Sequence, residues 1–184
     1  MGTAGRGRLV VALMCGAVLA LTGCESSSEG SATPATPSVA PEVPSGFEPC
    51  TDIPQAVLDS EGLRSSRPDD SSAGGGIKWN GCMWVITDGY TARIQTTNIT
   101  LEMVKGKNFP EATEFTAGDR RAISTRQSTS HVEASCIVNV EMDGGSLEFG
   151  LTNPASNRKT GHLDTCELAR NLAGKVAPSI PAGI

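Results

Sequence analysis

The chain has 184 residues and a formal net charge of -5, and 38% of its residues are hydrophobic while only 4% are aromatic. That length supports one domain with an aliphatic core. The acidic balance leaves no basic footprint for a phosphate-rich partner and argues against nucleic-acid binding.

Arg6 and Arg8 precede an uncharged, mostly apolar run from Leu9 to Leu21 that ends at Thr22-Gly23-Cys24. The run is shorter than the roughly 20 residues a permanent membrane helix needs, so residues 1–23 read as a signal peptide. Leu21-Thr22-Gly23-Cys24 matches a bacterial lipobox, in which small residues admit the peptidase and the Cys24 thiol accepts a diacylglyceryl group. The expectation is a mature chain that begins at lipidated Cys24 and sits on the extracytoplasmic face of the cell membrane. Each buried methylene of its acyl chains contributes about 0.8 kcal/mol to that attachment.

Residues 24–46 are rich in Ser, Thr and Pro and lack aromatic or long aliphatic side chains. Such a segment cannot build a core and reads as a tether reaching at most about 70 Å. Residues 47–184 then form a single extracytoplasmic domain.

Within that domain, Thr51 or Asp52 caps a short helix carrying Ile53, Val57 and Leu58 inward and ending at Gly62. Ser65 to Gly76, polar and glycine-rich, reads as a loop. Trp79–Ile86 and Tyr90–Thr96 are strand-like runs flanking Thr87-Asp88-Gly89, a type I′ hairpin signal. Cys82, Trp84 and Ile86 share one face of the first strand. Thr100–Lys105 is a short helix, the approach to Gly118-Asp119 is loop, and Ala122–Gln127 is a strand. Val132–Met142 alternates with Ala134, Cys136, Val138, Val140 and Met142 on one face. Asp143-Gly144-Gly145 turns it into a second hairpin, with Leu147, Phe149 and Leu151 inward. A last helix runs from about His162 to Val176, with Leu163, Cys166, Leu172 and Val176 in its apolar stripe, and Pro178 stops it. The predicted fold is α+β: an antiparallel sheet of about five or six strands with helices on one face and two disulfides.

With Cys15 in the signal and Cys24 acylated, four thiols remain outside the membrane: Cys50, Cys82, Cys136 and Cys166. An even number there implies two disulfides. Three pairings are open. Cys50–Cys82 with Cys136–Cys166 is favoured, because it would pin the first helix to the first hairpin and the last helix to the second. No Cys-x-x-Cys occurs, so no metal and no cofactor is expected.

Candidate chemistry is thin. His131 and His162 stand beside a strand start and a helix start and read as solvated. Ser156-Asn157-Arg158-Lys159 and Lys159-Thr160-Gly161 fit two signatures of penicillin-interacting enzymes, but they share one lysine, whereas those enzymes draw two separate groups from distant elements. Gly-x-Ser-x-Gly, the phosphate-binding loop and the dinucleotide fingerprint are absent, and no catalytic residue is expected. Arg120-Arg121, Arg126 and Arg158-Lys159 read as a solvated edge. Trp84 shares a face with Cys82 and reads as core. Trp79 faces the other way if its strand is unbroken, and turns inward if Asn80-Gly81 carries a bulge. It is the candidate ligand contact.

The lipobox, the Ser/Thr/Pro tether, Pro49-Cys50, Cys82-Met83-Trp84, Gly118-Asp119 before a strand, Cys136 in a strand and Cys166-Glu167-Leu168-Ala169 in the last helix follow one another in order. In this the chain resembles the actinobacterial lipoproteins of the "domain of unknown function 3558" family. The likeness spans roughly residues 47–181, with Arg120-Arg121 standing where that family usually has a small residue soon after Gly-Asp. The resemblance implies an exported, lipid-anchored domain in a high-GC Gram-positive envelope and carries over no catalytic residue. The expected function is a non-enzymatic binding or accessory module that presents a rigid domain to a small ligand, a wall component or another exported protein. The alternatives are an envelope hydrolase or transferase with a cryptic site, and a sensor-like module acting through a membrane partner.

Overall fold

The computed structural model describes residues 39–184, so the expected signal peptide, Cys24 and the first part of the tether lie outside the described residues. In chain order the elements are α1 (Pro49–Asp52), α2 (Gln55–Glu61), β1 (Ser65–Pro68), β2 (Ser71–Ala73), β3 (Ile77–Val85), β4 (Thr91–Thr97), α3 (Leu101–Gly106), β5 (Thr113–Ala117), β6 (Arg120–Thr125), β7 (Ser135–Met142), β8 (Gly145–Thr152) and α4 (Thr165–Val176). The strands form one sheet in the order β1-β3-β4-β8-β7-β6-β5, with β2 beside β1 along the same edge of β3. Every pairing is antiparallel.

Alternation decides which face is buried. Cys82 and Trp84 on β3, Ala92 and Ile94 on β4, Cys136, Val138 and Val140 on β7, and Leu147, Phe149 and Leu151 on β8 all enter one core. The apolar stripe of α4 closes it, with Ala169, Leu172, Ala173 and Val176 fully buried. Small alanines in that stripe let the helix approach the strands closely. The favoured disulfide pairing is the one formed: Cys50–Cys82 spans 5.3 Å and Cys136–Cys166 spans 5.1 Å between Cα atoms. The first ties α1 to β3 and the second ties α4 to β7.

Several elements differ from the sequence expectation. The first helix is two helices, because Pro54 disfavours helical backbone at Ile53, which is extended (φ -69°, ψ 122°). Gly62 ends α2 in the left-handed region at φ 71°. Ser65–Gly76 contains two short strands, β1 and β2. They are exposed edge strands of Ser, Arg, Pro and Ala that pair chiefly through backbone, so no apolar alternation announces them. The approach to Gly118 is likewise a strand, β5, mostly exposed. Eight strands therefore stand where five or six were expected, and α3 lies on the face opposite α4, where Leu101 and Val104 pack on Ile123.

The first hairpin turns one residue earlier than a type I′ turn would. The Gly89 amide donates to Ile86 carbonyl at 2.9 Å, and Asp88 alone takes positive φ, at 61°. The last helix begins at Thr165, capped by Asp164, which leaves Leu163 43% exposed outside the stripe. Val132–Ala134 is a 3-10 turn rather than strand.

The proline-rich stretch joins the body before Gly46. Asn98 Nδ2 donates to Ala40 carbonyl at 2.7 Å, Glu42 pairs with Lys78 at 2.8 Å, and Pro44 is buried against Gly145. Among the described residues no helix is long and apolar enough to cross a membrane.

Candidate functional site

The face of the sheet opposite α4 is only partly covered. Thr100 caps α3 by accepting from the Met103 amide at 3.2 Å, and the helix is short, so it covers part of β6 and β7 and stops. Beside it the strands are open.

Trp79 lies on this open face. Its pairing with Thr97 continues without a bulge through Cys82–Ile94 to Val85–Thr91, so the indole has the opposite orientation to Cys82 and Trp84. Gly81 makes that continuity possible: a Cβ there would stand 2.3 Å from the Ile94 carbonyl oxygen. The strand approaches its neighbour too closely for any other residue.

Trp79, Ile137 and Glu148 lie between two hollows. One, of about 250 Å³, is walled by Met103, Val104 and Phe109 and lined also by Ile77, Ile99, Lys107, Gln127 and Asn139. The other, of about 470 Å³, runs past Met83, Arg93 and Gln95. Together they make a cleft across the middle of the sheet.

Its polar groups are arranged by a short chain of hydrogen bonds. Ser146 Oγ donates to Ile99 carbonyl at 2.7 Å, so its hydroxyl is free only to accept. Asn139 Nδ2 donates to Ser146 Oγ at 3.0 Å and to Glu148 Oε2 at 3.2 Å. Both amide hydrogens are thereby used, the amide orientation is fixed, and Asn139 Oδ1 is left buried without a partner. The Trp79 Nε1–H is buried and unpartnered as well. It lies near enough to Glu148 to favour the carboxylate form, without reaching hydrogen-bond geometry. Burial nevertheless dominates and holds the Glu148 carboxyl above the usual carboxylate range, against the opposing pull of Asn139, Trp79 and the Arg93 charge. Buried polar groups are normally paired, and leaving one unmade costs about 1–3 kcal/mol. The cleft thus holds an unpartnered donor and an unpartnered acceptor beside one recessed carboxyl group.

Residues singled out elsewhere have structural roles. Trp84 is core. His131 and His162 line one further hollow of about 650 Å³, a juxtaposition the sequence does not announce. The two carboxylates there, Glu133 and Asp164, are already paired with Arg126, at 3.6 and 2.6 Å. Arg126, expected on a solvated edge, is instead 5% exposed and also donates to the carbonyls of Val132, Glu133 and Ser135. Its guanidinium organises the chain on either side of the 3-10 turn, which is why it is buried. Arg121 does lie on the surface, paired with Glu102 and Glu141. The Ser156–Gly161 loop is folded around Asn153, whose Oδ1 accepts from Thr160 Oγ1 at 2.7 Å and whose Nδ2 donates to Thr160 carbonyl at 2.8 Å. No group of three metal-ligating side chains occurs among the described residues.

Sequence reasoning missed Asn139 and Glu148. On β7 and β8 they occupy the polar positions of an alternating pattern, which reads as solvent-facing. The signal available is their antiparallel register, which makes them Cα partners.

A family model matches residues 19–179, and the chain belongs to that family, described as "Protein of unknown function (DUF3558)". No curated protein and no solved structure matches it.

Proposed function

We propose that the protein is a membrane-anchored extracytoplasmic lipoprotein of the cell envelope, lipidated at Cys24, whose domain binds a small ligand in the Trp79 cleft without turning it over. One observation carries the binding reading: the Trp79 N–H and the Asn139 carbonyl oxygen are buried, unpartnered and adjacent to the same Glu148 carboxyl, in a cleft whose apolar walls are interrupted by Lys107 and Gln127. The lipobox and the Ser/Thr/Pro tether support the anchor. The disulfides and the filled core support a rigid scaffold that presents the cleft.

The test is thermal melting of the full chain with and without small-molecule and lipid extracts of an actinobacterial envelope. A ligand at about 100 times its Kd stabilises by about 2.7 kcal/mol, which a melting curve resolves. The expected result is a dose-dependent rise that disappears when the cleft is plugged by Trp79→Arg or, from the α3 side, Met103→Trp. No rise with any extract overturns the binding reading. Intact-mass analysis tests the anchor: a mature start other than acylated Cys24 overturns it.

A further inference from the structure

The two orphaned atoms in the cleft specify more than the presence of a ligand. One is a donor, the Trp79 indole N–H, and the other is an acceptor, Asn139 Oδ1. Both flank the Glu148 carboxylate, Asn139 through its 3.2 Å hydrogen bond and Trp79 through its proximity. The complementary group therefore carries one acceptor and one N–H donor. Around them the lining is mostly aliphatic and aromatic, with Ile77, Ile99, Met103, Phe109 and Ile137, and Lys107 and Gln127 add polar groups.

We propose that the cleft seats a secondary amide borne on a short apolar chain, its carbonyl accepting from Trp79 Nε1–H and its N–H donating to Asn139 Oδ1. This rests on the ligand-binding reading above and names the chemistry of the same site. Other head groups fit less well. An ester accepts from Trp79 but leaves Asn139 unpaired. An ammonium donates to Asn139 but leaves the indole N–H unpaired. A carboxylate accepts from Trp79 but supplies no donor for Asn139 Oδ1. The volume of about 250 Å³ lies just below the usual range of small-molecule pockets, about 300–1,000 Å³, and suits a chain of modest length. A secondary amide of this kind occurs both in acylated amines and in peptides.

The experiment is an NMR titration of the ¹⁵N-labelled full chain in micelles of a detergent that lacks amides. The chain has two tryptophans, so Trp79 and Trp84 give two indole N–H signals, assigned by Trp79→Phe. The probes are N-methylhexanamide, N-acetylleucine N-methylamide, methyl hexanoate and hexylamine. At least one amide is expected to move the Trp79 indole signal downfield, leave that of Trp84 in place, and bind about tenfold more tightly than the ester, the worth of one hydrogen bond to an otherwise unpaired group. The stronger of the two amides identifies the acyl or the peptide source. Asn139→Ala is expected to remove that tenfold advantage and leave ester binding unchanged; should the variant not fold, the ranking on the unaltered chain decides. An ester or amine that moves Trp79 and binds as tightly as the amides overturns the amide assignment while the ligand-binding reading stands. No movement of Trp79 with any probe also overturns the assignment, and the extract melts then decide the wider reading separately.

Discussion

Asn139 and Glu148 are Cα partners across β7 and β8, and the Asn139 amide donates to the Glu148 carboxylate at 3.2 Å while its own carbonyl oxygen stays unpartnered. A polar pair fixed in this way on a half-covered sheet face holds one ionisable group where water reaches it poorly. Its consequences can be measured.

Burial raises the Glu148 pKa above its unfolded value near 4.5. The folded chain then holds this proton more tightly than the unfolded chain, so ionisation lowers stability as pH climbs from about 4.5 through the raised folded pKa. Glu148→Gln keeps an oxygen that accepts from Asn139 and removes the charge. Its melting temperature is expected to exceed that of the unaltered chain at pH 7 and to converge with it below about pH 4.5. A variant less stable at pH 7 than the unaltered chain would show that the carboxylate is stabilising where it sits.

Gly81 tests the close approach that keeps β3 unbroken. A Cβ at this position would meet Ile94 carbonyl oxygen at 2.3 Å and Gln95 Cα at 2.7 Å, both backbone atoms that cannot swing aside. Gly81→Ala should cost about 2–4 kcal/mol in denaturant unfolding. An effect under about 0.5 kcal/mol, the range of an ordinary surface substitution, would contradict the geometry.

Arg126 is buried and bound to Glu111, Glu133 and Asp164 as well as to three backbone carbonyls. Arg126→Met is expected to destabilise by about 2–3 kcal/mol, since the carbonyls lose their donors. Arg126→Lys should recover little, because an ammonium cannot reproduce a planar fork. Full recovery by lysine in urea titration would show that charge alone matters here.

Burial pushes the Asp164 carboxyl up, but the Glu167 and Cys166 amides and the Arg126 charge outweigh it and leave the pKa below its ordinary value of 3.8. Stability contributed by this cap is therefore present above about pH 3.8 and lost as pH falls through the lower folded pKa. Asp164→Ala should cost about 1–2 kcal/mol at pH 7, and the gap should narrow below pH 3.8. A pH-independent gap would mean that the carboxylate charge plays no part.

Removing the Cys136–Cys166 bridge by paired serine substitution should cost about 3–4 kcal/mol, the loop-closure entropy of its 30-residue separation. Calorimetry of the paired variant measures it, and an unchanged melting temperature would remove the bridge from the stability of the domain.

The strands that bury one face were legible because their alternation is set by the core they enter: Val138, Val140, Leu147 and Phe149 could occupy no other face. β1, β2 and β5 were not, because exposed edge strands bond through backbone and carry no apolar pattern. Trp79 was legible as a candidate once its parity with Cys82 was considered. Arg126 was misread because a lone arginine between polar residues has the same local context whether it meets solvent or three carboxylates.

Sequence alone determined the alternating strands, the even set of four cysteines outside the expected signal and anchor, and the expectation of export and lipidation, since each depends on neighbours along the chain. The tertiary structure decided that α3 roofs only part of the sheet, that Asn139 and Glu148 meet across two strands, and that Trp79 faces them with its N–H unpaired. Those relationships depend on register and on which face a short helix covers, and both are fixed by contacts between residues far apart in the chain.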